Sequence, residues 1–203
     1  MFANNPSAPS LVLASGSAVR ATLLRQAGVD FEIQNSQIDE ASIKEKFAES
    51  DIDELAIKLA SAKAIVVSAE RSDALVIGAD QILSCEGSRF DKPSDMAEAR
   101  SNLKFFRGRT HRLHSGIVLA RSGHVVWRHS AYADLTMRSF ADELLDSYLT
   151  VVGNKVLTSV GGYQLEGPAI QLFENIVGDY FTILGLPLLP LLEELRQRNV
   201  VPK

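Results

Sequence analysis

Four side chains have types and neighbours that invite chemistry: Ser15, Arg20, Lys63 and Asp80. Ser15-Gly16-Ser17 follows the apolar run Leu11-Val12-Leu13-Ala14 and precedes a helical pattern that ends near Ala27, with Gly28 as its stop. A helix N-terminus carries unpaired N–H groups and the positive end of the dipole, so it collects anions. The hydroxyls of Ser15 and Ser17 add donors. A cation such as Arg20 in the first turn opposes the dipole, a cost that a bound anion reverses. The plainer alternative is that Ser17 is an ordinary N-cap and Arg20 is solvated. No Gly-Lys-Ser/Thr ending follows, so this is not a P-loop.

Lys63 lies on the apolar stripe Ile52, Leu55, Ala56, Leu59, Ala62, Val66 of a second helix, Asp51 to Glu70. Lysine takes such a place when paired or functional, or when its stem snorkels to the helix edge. Asp80 closes the buried strand pattern Ala74 to Ala79, and ligand sites of open α/β sheets gather beyond strand ends. A carboxylate there can act as a general base or hold Mg²⁺, or it can simply cap a turn. Asp39-Glu40 reads as a further ligand or a solvated turn, and Lys92-Pro93 alone as a loop. Residues 107–114, with three arginines and two histidines, form a basic strand without an aromatic ladder; a solvated strand face suits them better than a nucleic-acid site. Cys85 follows an apolar run and reads as a buried thiol.

These groups need a scaffold, and the patterns alternate between strand and helix. Ile82-Leu83 and Arg89-Phe90 flank a turn at Glu86-Gly87-Ser88. Asp95 with Glu98 caps a helix ending near Phe106. His111 to Ala120 and His124 to Met137 make two long strands joined at Ser122-Gly123. Ser139 with Asp142 opens a helix to about Leu149, and a last helix starts near Pro187. The fold class is α/β: a mixed twisted sheet with flanking helices. Residues 1–10 read as a tail and 11–203 as one domain.

The 203 residues suffice for a sizeable core without staples, and one cysteine excludes a disulfide scaffold or a multi-cysteine zinc site. A net charge of −4 leaves no global basic field for a duplex, so an anionic ligand must meet a few placed cations. The longest apolar stretch, Ile183 to Leu192, contains Pro187 and Pro190 and falls well short of the ~20 residues that span a bilayer. With no signal-peptide pattern at the N-terminus, the expectation is a cytoplasmic protein with no nucleic-acid or membrane partner.

Taken in order, several segments resemble the Maf family of nucleotide pyrophosphatases. They are Ser15-Gly16-Ser17-Ala18-Val19-Arg20 with Leu23-Leu24, Phe31, Asp39-Glu40, Leu59-Ala60-Ser61-Ala62-Lys63-Ala64, Gly78-Ala79-Asp80-Gln81, Asp91-Lys92-Pro93, Gly108 with His111, Gly162 to Gly167, and Gly185-Leu186-Pro187-Leu188. The resemblance covers Leu11 to about Leu195. It implies hydrolysis of a nucleoside triphosphate to a monophosphate and pyrophosphate, with a divalent cation (Mg or Mn), by a homodimer. It also implies a fold like that of inosine triphosphate pyrophosphatases, two lobes around a central cleft. The implied roles are catalysis for Asp80, Lys63 and Glu40, metal binding for Glu40 and Asp80, and substrate binding for Ser15, Ser17, Arg20, Lys92, Gln81 and Glu166.

Val19 stands where one subgroup carries Arg and another Trp. Gln81 and Glu166 look like the subgroup acting on 7-methyl-GTP, so the base expected is 7-methylguanine. The alternatives are a dTTP/UTP or broad-specificity pyrophosphatase, or a non-catalytic nucleotide-binding regulator linked to septum formation.

Overall fold

Buried on both faces, the strand segments Leu11–Leu13 and Leu75–Ile77 need apolar side chains at every position, and this is how they read. The computed structural model describes residues 8–48 and 50–203, so positions 1–7 of the expected tail lie outside the described residues. The strands are β1 (Leu11–Leu13), β2 (Glu32–Ile33), β3 (Leu75–Cys85), β4 (Ser88–Phe90), β5 (Thr110–Arg121), β6 (His124–Met137) and β7 (Phe173–Val177). The helices are α1 (Ala18–Gln26), α2 (Glu40–Lys46), α3 (Ile52–Glu70), α4 (Met96–Phe106), α5 (Asp142–Val152), α6 (Tyr180–Ile183) and α7 (Leu188–Gln197). The sheet has seven strands in the order β2-β1-β3-β5-β6-β7, with β4 paired to β3. It is mixed: β1 is parallel to β2 and β3, while β3–β4 and β6–β7 are antiparallel. The α/β expectation holds.

The chain folds as two compact units, one of residues 1–80, 115–131 and 180–203, the other of 81–114 and 132–179. In the first, alternate strand residues face opposite layers. Leu11, Leu13, Leu75, Ile77, Ile117 and Leu119 pack with Leu24, Leu191 and Leu195 of α1 and α7. Val12, Val76 and Val118 pack with Ile57, Ala60, Ala64 and Val67 of α3. α3 lies against the sheet with almost no gap. A Cβ on Gly78 would run into the carbonyl oxygen of Ala60 and come within 2.8 Å of Ala64 Cβ; one on Gly116 would meet Ala56 C at 2.6 Å and Ile57 N at 2.7 Å. Glycine in these strands is there for the close approach of a helix backbone.

In the second unit, Phe90, Phe105, Phe106, His111, Tyr163 and Phe173 form an aromatic cluster. The basic run is not a solvated face. His111 and His114 are buried, Arg112 makes a two-pronged contact with Asp134 at 2.7 Å, and Arg107 reaches Asp142 at 2.6 Å. Carboxylates from β6 and α5 consume charges that a local reading leaves in water. The helix expected to open at Ser139 begins at Asp142, after Ala141, without a side-chain cap. Its Asp142 is held instead by Arg107, Lys104 and Arg100, and the hydrogen bonds from Arg107 and Lys104 keep that carboxyl well below its usual range.

His111 Nε2 is 2.6 Å from the Tyr163 hydroxyl, and burial pulls the imidazole pKa down from 6.5 to about 4, against the weaker opposing charge of Asp134. Between those pH values the unfolded chain binds a proton that the folded chain excludes. Stability therefore falls as pH falls through this window, by up to about 3 kcal/mol. Denaturant unfolding across pH 6.5 to 4 should show a steeper loss for the protein than for His111→Phe. Equal slopes would assign the loss to other groups.

Candidate active site

The close seam between α3 and β3 determines which side chains meet. Val76, Gly78 and Asp80 share the face of β3 that looks at α3, because strand side chains alternate. Gly78 lies under Ala60, so Asp80, two residues on, meets Lys63, nearly one helical turn on. Lys63 Nζ donates to Asp80 Oδ1 at 2.6 Å, and the two residues are only 8% and 7% exposed. Glu40 Oε1 is also on the ammonium, at 2.9 Å. Asp39 caps α2 by accepting from Ser42 N, which fixes Glu40 as the first helical residue. The pair is thus a helix cap and a first helical residue rather than a turn, with Asp39 exposed and the Glu40 side chain 44% exposed.

Two expectations about the elements need correction. β3 does not end at Asp80 but continues to Cys85, its far end paired with β4 around the two-residue turn Glu86-Gly87. Asp80 is therefore a mid-strand residue. The buried face of α3 also differs: Leu55, Ala56, Leu59, Ala60, Lys63, Ala64 and Val67 are buried, whereas Val66 is exposed. Lys63 sits near the middle of that face rather than at its margin.

Arg20 is not solvated either. Its guanidinium donates to Gly185 O and Ala79 O, both at 2.8 Å, and to Ser15 Oγ at 3.1 Å. Burial draws its pKa below the ordinary value, against the opposing charges of Asp80 and Glu40. Ser17 is the N-cap of α1, accepting from Arg20 N at 3.4 Å, and its own N–H donates to Ser15 Oγ at 3.3 Å. Ser15, Ser17, Arg20, Glu40, Lys63 and Asp80 thus belong to one connected assembly within the first unit. Arg20 ties the carbonyl just before Asp80 to the turn after α6. Those acceptors are backbone atoms, which no side-chain pattern announces; Gly78 within a strand pattern is the one sequence signal of the close approach.

The other expected residues lie in the second unit. Gln81 follows Asp80 on β3 with its side chain on the opposite strand face. Lys92 is exposed ahead of the buried Pro93. Glu166 is exposed in a turn that Gly167 N closes on Gln164 O at 3.1 Å. Tyr163 anchors the same segment through His111, and Ser159 Oγ donates to Tyr163 O at 2.5 Å.

Among the described residues no group of three or more His, Cys, Asp or Glu side chains could hold a metal ion by itself. Glu40 and Asp80 supply two carboxylates on one ammonium. That suits Mg²⁺ or Mn²⁺, which take one or two carboxylates and complete their shell with water and substrate phosphates. Two cations and two carboxylates, Arg20, Lys63, Glu40 and Asp80, make the assembly electrically balanced. Its chemistry is that of an oriented carboxylate beside a mobile ammonium.

Residues 10–198 match the family described as Maf-like protein. A 7-methyl-GTP pyrophosphatase of Rhizobium meliloti (strain 1021) is 49% identical over 95% of this chain and 98% of its own. One of Brucella suis biovar 1 (strain 1330) is 50% identical, covering 94% and 97%. A nucleoside triphosphate pyrophosphatase of Paramagnetospirillum magneticum (strain ATCC 700264 / AMB-1) is 48% identical, covering 93% and 98%. Among solved structures, a HAM1 protein from Coxiella burnetii is similar at a TM-score of 0.35 and 14% identity over 68% of this chain and 73% of that one, too loose a likeness to carry an argument.

Proposed function

This chain belongs to the Maf-like protein family, and from that premise we propose that it hydrolyses nucleoside triphosphates to the monophosphate and pyrophosphate, with 7-methyl-GTP as its preferred substrate. It is a hydrolase acting on phosphoric anhydrides, in the house-cleaning of nucleotides. The observation that carries the reading is the buried contact of Lys63 with Asp80 and Glu40, on the residues that match the family's motifs.

In the proposed reaction, a water oxygen bonds to the α-phosphorus and the bond from that phosphorus to the bridging oxygen breaks. The bridging electron pair leaves with pyrophosphate. Asp80 orients the water and accepts its proton. The ammonium of Lys63 answers the charge that grows on the leaving group, and substrate binding by Lys92 is what the family resemblance implies. Arg20 acts by holding Ala79 and the Gly185 turn, so that Asp80 keeps its place. A divalent cation on Glu40 and Asp80 supplies charge neutralisation for the phosphate oxygens. A cytoplasmic homodimer, which the family resemblance implies, completes the proposal. Among the described residues no helix is long and apolar enough to cross a membrane.

The base preference is supported by Gln81 and Glu166 and by relatives whose names specify 7-methyl-GTP. Methylation at N7 gives the guanine ring a fixed positive charge. A carboxylate at Glu166 accepts from the ring's N1–H and N2–H donors and favours the cation, whereas an amide tolerates a pyrimidine's mixed edge. Pyrophosphate release measured over 7-methyl-GTP, GTP, dTTP, UTP and CTP should give the highest kcat/KM for 7-methyl-GTP. Glu166→Gln should narrow its lead over UTP. Equal or higher values for dTTP and UTP in the unmodified protein would overturn the base assignment and leave the pyrophosphatase reading in place.

A further inference from the structure

The ammonium of Lys63 occupies the position between two carboxylates that a small cation would take. Nζ is 2.6 Å from Asp80 Oδ1 and 2.9 Å from Glu40 Oε1. Arg20 adds a second positive charge, close enough for Asp80 and Glu40 to act on its own ionisation. Within this group of side chains two cations thus offset the two carboxylates, which weakens its pull on a divalent cation while the ammonium stays in place. Unlike a fixed metal ligand, Lys63 ends a flexible four-carbon stem with three rotatable donors, and phosphate oxygens are strong acceptors for it.

We propose that Lys63 is a cation gate: it keeps Mg²⁺ or Mn²⁺ off Glu40 and Asp80 until a triphosphate draws the ammonium away, so that cation and nucleotide enter together. This rests on the pyrophosphatase reading and deepens it. Two consequences follow from charge alone. Removing the ammonium takes its positive charge away from both carboxylates, so the cation binds without nucleotide. And because linkage is reciprocal, the same removal uncouples cation affinity from nucleotide occupancy. Glu40, more exposed than Asp80, is the carboxylate from which Lys63 can part with the smaller desolvation cost.

The test titrates Mn²⁺ alone, followed by loss of the free-ion electron paramagnetic resonance signal, into the unmodified full chain, Lys63→Met and Lys63→Gln. Both variants should bind Mn²⁺ at least about tenfold more tightly than the unmodified protein, since a like charge a few ångströms from the ion is removed. Their melting temperatures should also rise with Mn²⁺ more than that of the unmodified protein. Lys63→Gln keeps donors for both carboxylates and serves as the folded variant if Met leaves the pair too strained. Variants that bind Mn²⁺ no more tightly than the unmodified protein overturn the gate, and so does an unmodified protein that binds it alone as tightly as they do. Neither result bears on hydrolysis. Conversely, a protein that releases no pyrophosphate from any nucleotide fails the pyrophosphatase reading, while the Mn²⁺ comparison still reports on Lys63.

Discussion

Asp80→Asn is expected to lower turnover at least about a hundredfold, the scale of a lost general base, in a protein that stays folded. The amide has the size of the carboxyl, and its oxygen can still accept from Lys63 Nζ across the 2.6 Å contact. Lys63 also retains Glu40, so the buried ammonium is not orphaned. What the substitution removes is basicity toward water and one negative charge. The loss should therefore fall on kcat more than on KM, and the thermal transition should remain cooperative. Substantial turnover in a folded Asp80→Asn protein would remove Asp80 from the proposed role and leave Glu40 as the candidate base.

Arg20→Ala is expected to unfold more readily, by about 4 kcal/mol, the cost of breaking one side of a buried charged cluster. Three hydrogen bonds go with it, and two of the abandoned acceptors, Ala79 O and Gly185 O, are backbone carbonyls. Asp80 and Glu40 also lose one of their two compensating charges. Arg20→Lys should recover only a small part, because an ammonium cannot reproduce the guanidinium fork that spans β3, Ser15 and the Gly185 turn. Denaturant unfolding of the three proteins measures this. Unchanged stability combined with weakened nucleotide binding would instead return Arg20 to the expected role of phosphate ligand.

The contrast over Arg20 shows where a linear reading of the residues succeeds. Caps and tight turns are local events, and apart from the cap expected at Ser139 they are placed correctly. Asp51 accepts from Asp53 N and Glu54 N, Asp95 accepts from Glu98 N, and Ser122-Gly123 turns β5 into β6 with both φ angles positive. The errors come where a distant segment decides the outcome. β3 runs on past Asp80 because β4 returns to pair with it. The buried face of α3 is rotated to include Ala60 and Ala64 because the glycines of β3 and β5 admit the helix backbone there. The fixed place of Arg20 is not readable locally, because two of its acceptors, lying 59 and 165 positions away, are main-chain oxygens that every residue has. The site residues in the first unit were legible as types; that Lys63 joins two carboxylates was not.

The seam where Gly78 and Gly116 meet the helix also constrains how copies of this gene can diverge. A single added methyl at either position has no space to enter, so it can be accepted only if the helix lifts off the sheet. Lys63 rides on that helix and Asp80 does not. A lift of about 1 Å is the scale at which a displacement distant from the reacting atoms costs about a hundredfold in rate. Purifying selection on the rate would then be felt as selection on side-chain volume at two residues that touch no substrate. Drift should be confined to exposed positions such as Ile65 and Val66 on the outer side of the same helix, and a larger residue at 78 or 116 would survive only in company with a compensating change elsewhere in the seam.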